Sequence, residues 1–209
     1  MFMILGVPVA VLSGQLLLGV INGAFYALLS LGLAVIFGLL KIINFAHGAM
    51  YMLGALVAVV LFDALGINYW IALFVVPLLV GSFGMLIEYF LRAGTEDAQL
   101  MQGFGINVPL LVSLTYGFGV MLAAFAGVLS APIYSVTPMM GSHILIVVFA
   151  VVVIGGMGSI AGAIITGILM GVIEGLTKTF YPSASSAVIF LVMVVVLLVR
   201  PSGLFGREE

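Results

Sequence analysis

Seven apolar stretches run along this chain, at roughly 15–39, 45–62, 69–91, 109–131, 144–157, 161–179 and 186–199. A bilayer core needs about 20 apolar residues to be crossed as a helix, with about 17 to 25 usual. The first four stretches and 161–179 meet that requirement. Stretches 144–157 and 186–199 are short, so either neighbouring residues extend them or 144–157 is one half of a broken pair. The pattern predicts an all-α polytopic transmembrane bundle of about seven membrane segments. Residues 144–179 form either two crossings or a re-entrant hairpin, and 1–209 make one integral-membrane domain.

Composition supports a lipid environment. Hydrophobic residues are 65% of the 209 and charged residues 6%, against about 25% charged in soluble domains. There is no cysteine, so disulfide and thiol chemistry are excluded. Two distant histidines make no metal motif, and no triad, paired carboxylates or phosphate loop is visible, so no catalytic site is expected. The net charge of −2 does not point to nucleic acid. The N-terminus lacks a basic region before its first apolar stretch, and no removable signal peptide is expected. If every stretch crosses, Lys41, Arg92, Arg200 and Arg207 share one face and only Lys178 opposes them. Lys178 can pair with Glu174 one turn earlier. The bias places the N-terminus outside and the C-terminus in the cytoplasm.

The one interior run dominated by polar residues is Arg92 to Asn107. On this topology it is cytoplasmic, and it reads as a short helix. Thr95 can cap it, Glu96 and Asp97 suit its positive dipole end, and Gly103 can terminate it. Leu100, Met101 and Phe104 then form an apolar knob suited to a groove on a soluble partner. The same pattern also suits an amphipathic loop lying on lipid headgroups.

Glycines spaced by four, at 19 and 23, at 158 and 162, and at 167, 171 and 175, suit close helix packing in lipid. Gly162, Gly167, Gly171 and Gly175 are assigned to that role. Gly155, Gly156 and Gly158 interrupt an apolar run and read as a break or tight turn. Irregular backbone at membrane depth survives only when buried in protein or lining a wet cavity, so these three are candidates for a translocation path. The run Lys41 to Gly48 holds a lysine, an asparagine and a histidine between apolar stretches. It is either a turn at the cytoplasmic interface, or Asn44 and His47 cap or bridge helix ends that face an aqueous cavity. Asn22 and Tyr26, one turn apart, could line the same cavity, and Asn22 could equally be interhelical glue. Glu88 and Arg92 are spaced as an i,i+4 anchor. Asp63 to Trp70 and the stretch around His143 read as outer loops.

Residues 22–55, N-G-A-F-Y-A-L-L-S-L-G-L-A-V-I-F-G-L-L-K-I-I-N-F-A-H-G-A-M-Y-M-L-G-A, resemble the N-terminal signature of the LivH-type permease subunit of branched-chain amino acid ABC importers. The blocks F-G-I-N-V, G-V-L-S-A-P-I-Y-S-V-T-P, F-A-V-V-V-I-G-G-M-G-S-I-A-G-A and L-L-V-R-P-S-G-L-F-G resemble that family's closing blocks, in the same order. The resemblance covers nearly the whole chain, but a central segment is lacking, with the junction at Arg92–Ala93. Both flanks are cytoplasmic, so losing an even number of passes preserves the topology.

The resemblance implies a multi-pass protein of the bacterial inner membrane whose 93–107 stretch, including Gly105, docks on an ATPase subunit. It implies a LivM-type permease partner, two cytoplasmic ATPases and a periplasmic binding protein delivering leucine, isoleucine or valine. ATP and Mg would be held by those partners, and this chain would need no cofactor. Related permeases carry urea, short amides or other amino acids. Two other readings stand beside it: a self-sufficient channel or carrier for a small solute, and a shortened, non-transporting assembly protein.

Overall fold

The computed structural model describes residues 3–4, 7–93 and 107–206. Its helices are α1 (Val9–Leu40), α2 (His47–Leu65), α3 (Tyr69–Ala93), α4 (Val108–Ser130), α5 (Met140–Gly155), α6 (Ile160–Phe180) and α7 (Val188–Val199). A two-stranded antiparallel ribbon, β1 (Met3–Ile4) with β2 (Val7–Pro8), precedes them. In lipid each backbone polar group must be satisfied within its own segment, which leaves uniformly apolar runs little choice but helix. Among the described residues five helices are long and apolar enough to cross a membrane: α1, α2, α3 over Tyr69–Phe90, α4 and α6.

Helix ends follow local chemistry. Asn107 caps α4 by accepting from the Leu110 N–H at 3.1 Å, with Pro109 inside the first turn, where its missing N–H costs nothing. Ser159 caps α6 through the Gly162 N–H at 3.1 Å. Gly66, at φ +62°, ends α2 with the paired hydrogen bonds of a left-handed cap. Asn68 accepts from the Trp70 N–H at 2.9 Å where α3 begins.

The outlines differ from the sequence pattern at three places. Helix α1 starts at Val9, because Ser13, Gly14 and Gln15 continue the helix instead of breaking it. Helix α5 begins at Met140 and takes in His143, so that histidine is helical and not in a loop. Of the residues expected in the loop 63–70, Asp63 likewise belongs to the last turn of α2, and Tyr69 and Trp70 open α3. At 1.5 Å per residue the 16-residue α5 and 12-residue α7 reach only about 24 and 18 Å.

Two compact units make up the fold: a central unit, Val35–Leu145, and a terminal unit, Met1–Ala34 with Ile146–Glu209. In the central unit α2, α3 and α4 pack on one another through glycines. A Cβ on Gly54 would overlap Ala124 of α4, and one on Gly127 would overlap the Tyr51 carbonyl of α2. Burial along α3 recurs at Ala72, Leu73, Val76 and Val80, one face of a 3.6-residue period. In the terminal unit a core of Ala150, Val151, Ile154, Met170 and Ile189 is flanked by residues of α7.

Candidate functional site

The polar chemistry of the central unit gathers around the ends of α3 and α4 and the linker 41–46. Helix α1 stops at Leu40 and Lys41 takes φ +56°, a left-handed conformation rare outside glycine. Its Nζ lies 5.9 Å from the Phe37 ring centroid, within cation–π range. Asn44 closes the following turn, its Oδ1 accepting from the Ala46 N–H at 3.0 Å, while its Nδ2 donates to the Tyr116 hydroxyl at 3.2 Å. Asn44 thus ties the linker to α4 and does not cap α2, which has no side-chain cap. His47 opens α2 fully buried, and the next residue, Gly48, meets the backbone of Gly141. One turn before Tyr116, Ser113 donates from Oγ to a carboxylate oxygen of Glu88, which is only 8% exposed. An open groove of about 470 Å³ runs between α3 and α4 beside this bond, lined by residues including Met85, Tyr89, Leu110 and Ser113.

In the terminal unit the polar centre is Glu174, in the third quarter of α6. Its Oε2 accepts from the Tyr26 hydroxyl of α1 at 2.7 Å, and its Oε1 pairs with Lys178 Nζ at 2.6 Å. Both carboxylate oxygens are therefore engaged, as a buried acid at membrane depth requires. Asn22 lies one turn before Tyr26 and is half-buried.

Small residues set the approach of α1 to α6. Gly19, Gly23 and Ala27 of α1 meet Gly175, Gly171 and Gly167 of α6 with backbone against backbone. Gly155 similarly abuts Gly162 across the α5–α6 turn. That turn uses φ +97° at Gly156 and φ +83° at Gly158, which only glycine adopts without strain. The chain after α7 folds back over it. The Leu204 and Phe205 N–H groups donate to the Ile154 and Gly155 carbonyls at 2.8 and 3.1 Å, and Arg200 Nη1 donates to the Leu204 carbonyl at 2.9 Å. The last carbonyls of α5 gain partners in this way, since a helix end otherwise leaves them unpaired.

Asn22 and Tyr26 fall in the terminal unit, and Asn44 and His47 in the central one. Gly155, Gly156 and Gly158 form the turn beneath the C-terminal strap. Thr95, Glu96, Asp97, Leu100, Met101, Gly103, Phe104 and Gly105 lie outside the described residues, as does the Arg92 side chain. Sequence reasoning missed Tyr116 and Ser113, and it paired Glu174 with Lys178 but not with Tyr26. A carboxylate inside an apolar 21-residue helix was the available signal for the last. Among the described residues no group of three or more His, Asp or Glu side chains is placed to hold a metal ion.

Long apolar helices, glycine-lined helix crossings and a fully paired buried carboxylate define a multi-pass helical membrane protein. The sequence model of the branched-chain amino acid transport system permease component matches residues 15–91 and 89–197. The chain belongs to that family. It is 38% identical over 120 residues to the high-affinity branched-chain amino acid transport system permease protein LivH of Salmonella typhimurium, and equally so to that of Escherichia coli K12. Those matches take in 56% of this chain and 39% of each relative, so the chain covers well under two thirds of their length. The permease protein BraD of Pseudomonas aeruginosa is 27% identical over 294 positions, with 93% of this chain and 96% of the relative aligned. Since 93% of 209 residues fills only part of those 294 positions, about 100 positions of BraD face no residue here. The two family blocks meet at residues 89–91, next to Arg92–Ala93. No solved structure matches the chain.

Proposed function

We propose that this chain is a transmembrane permease subunit of an ATP-driven importer for branched-chain amino acids, forming a translocation path with a second permease subunit of the LivM type. The observation that carries the reading is the family match, which spans residues 15–197 in two adjoining blocks. The named function of the LivH and BraD relatives supports the substrate class. In this reading the protein sits in the bacterial inner membrane with its N-terminus periplasmic and its C-terminus cytoplasmic, a disposition supported by the positions of Lys41, Arg92 and Arg200. Two cytoplasmic ATPases hold ATP and Mg, and the segment 93–107 meets them through Leu100, Met101 and Phe104. A periplasmic binding protein delivers the amino acid. Asn22, Tyr26, Asn44 and His47 are the side chains put forward for the path. The chain itself performs no chemistry. It changes access from one membrane face to the other when the ATPases close and open.

A second reading, a shortened assembly protein that binds its partners but does not transport, is favoured by the hundred or so positions of BraD without a counterpart here. One experiment separates the two. The tagged chain is isolated from membranes with candidate ATPase and permease partners, and uptake of labelled leucine is measured in cells lacking their own permease. Co-purification with ATP-dependent uptake supports the importer. Co-purification without uptake supports the assembly protein, and no co-purification refutes both.

A further inference from the structure

One polar bond in the central unit joins the two helix ends that flank the stretch 94–106, and a second ties the 41–46 linker to α4. Glu88 lies little more than a turn before the end of α3, and Ser113 the same distance after the start of α4. The Ser113 hydroxyl bonds the Glu88 carboxylate, and Tyr116 on the next turn accepts from Asn44 of the linker between α1 and α2. Neither bond is needed to bring the helices together. Deeper in the unit α3 and α4 already interlock, where a Cβ on Gly84 would come within 2.9 Å of Val120 and one on Gly81 within 3.1 Å of Met121. Helix termini, by contrast, are where local opening is easiest. A push on the connecting stretch would be lost in fraying of the terminal turns unless those turns were fastened to each other.

We infer that Glu88, Ser113, Asn44 and Tyr116 form a transmission clamp. They are positioning residues that make the end of α3, the start of α4 and the linker 41–46 move as one body when the stretch between α3 and α4 is displaced by a nucleotide-hydrolysing partner. The inference rests on the permease reading for the source of the push, but the clamp itself belongs to the described fold. The Glu88 carboxylate, 8% exposed, supplies a strong acceptor in a setting of low polarity, where a charge-assisted hydrogen bond gains strength. Asn44 adds rigidity because, while its Nδ2 donates to Tyr116, its Oδ1 is already committed to the Ala46 N–H.

The test uses Ser113→Ala and Tyr116→Phe, with Ser113→Thr as the variant that restores a hydroxyl. With partners present, the two disruptive variants should still co-purify with the ATPases and hydrolyse ATP. Uptake per ATP hydrolysed should fall roughly tenfold, the size of a typical coupling free energy, and Ser113→Thr should recover most of it. A proportional loss of hydrolysis and uptake, or an unchanged ratio, overturns the clamp. A second measurement needs no partner. In the chain alone in detergent, amide exchange at 89–93 and at 108–112 should accelerate together by about tenfold in Ser113→Ala. Unchanged exchange refutes the clamp whatever the partners do. Accelerated exchange in a chain that binds no ATPase supports the clamp and refutes the permease reading instead.

Discussion

Replacing Gly23 with alanine tests whether glycine sets the approach of α1 to α6. A Cβ built on Gly23 would lie 2.8 Å from both the Cα and the carbonyl oxygen of Ile168, where ordinary contacts start at 3.4 Å. Both atoms are backbone, so no rotamer change relieves the overlap, and α1 and α6 must part locally by at least about 0.6 Å. Over-packing costs roughly 1–3 kcal/mol, and two unyielding backbone atoms place this site in the upper part of that range, at about 2–3 kcal/mol. Alanine returns up to about 1 kcal/mol of helix propensity, leaving a net loss of about 1–2 kcal/mol. For a chain of this length that is about 2–8 °C in thermal unfolding. Gly14 provides the control on the same helix, because a Cβ there would meet nothing within 4 Å. Gly14→Ala should be neutral or slightly stabilising. The assay is thermal unfolding of both variants in the same detergent. Equal midpoints for Gly23→Ala and the unaltered chain, or parallel shifts in both variants, would refute the argument that backbone contact holds this seam.

Three further outcomes are expected. Tyr26→Phe removes one donor from the Glu174 carboxylate and should destabilise by about 0.6 kcal/mol and at most about 1.7, the average and the maximum measured for polar pairs between membrane helices; no shift in unfolding would mean the bond contributes nothing. Gly203→Ala, at φ +81° and with its Cβ 2.6 Å from the Gly156 backbone, should strain the strap by at least about 1–2 kcal/mol. Because the chain has no native cysteine, a reporter cysteine at Leu204 should then react about tenfold faster, and an unchanged rate would show that the strap does not need the glycine. Replacing Leu100, Met101 and Phe104 together by aspartate should abolish association with the ATPase while membrane insertion persists, and undiminished co-purification would end the docking assignment.

The helices were legible because their cause is local. A run of apolar residues of the right length must hydrogen-bond to itself in lipid, so 109–131 emerges as Val108–Ser130 and 161–179 as Ile160–Phe180. The Gly-Gly-Met-Gly break was legible too, since positive φ is a property of single residues. The start of α1 was misread for the converse reason: Ser13 and Gln15 look like a break in a hydropathy pattern but cost a helix little near its first turns. Which faces meet could not be read. Helices apolar all round have no polar side to mark the outward face, so only packing shows that Gly171 sits against Gly23 while a Cβ on Gly14 would meet open space. The polar bonds were hidden by distance along the chain. Tyr26 and Glu174 are 148 residues apart, and Asn44 and Tyr116 are 72 apart. Sequence set where lipid-compatible helices lie and which residues are costly to bury; the tertiary structure decided how those costs are met, because a buried polar group is stable only beside the partner that folding brings to it.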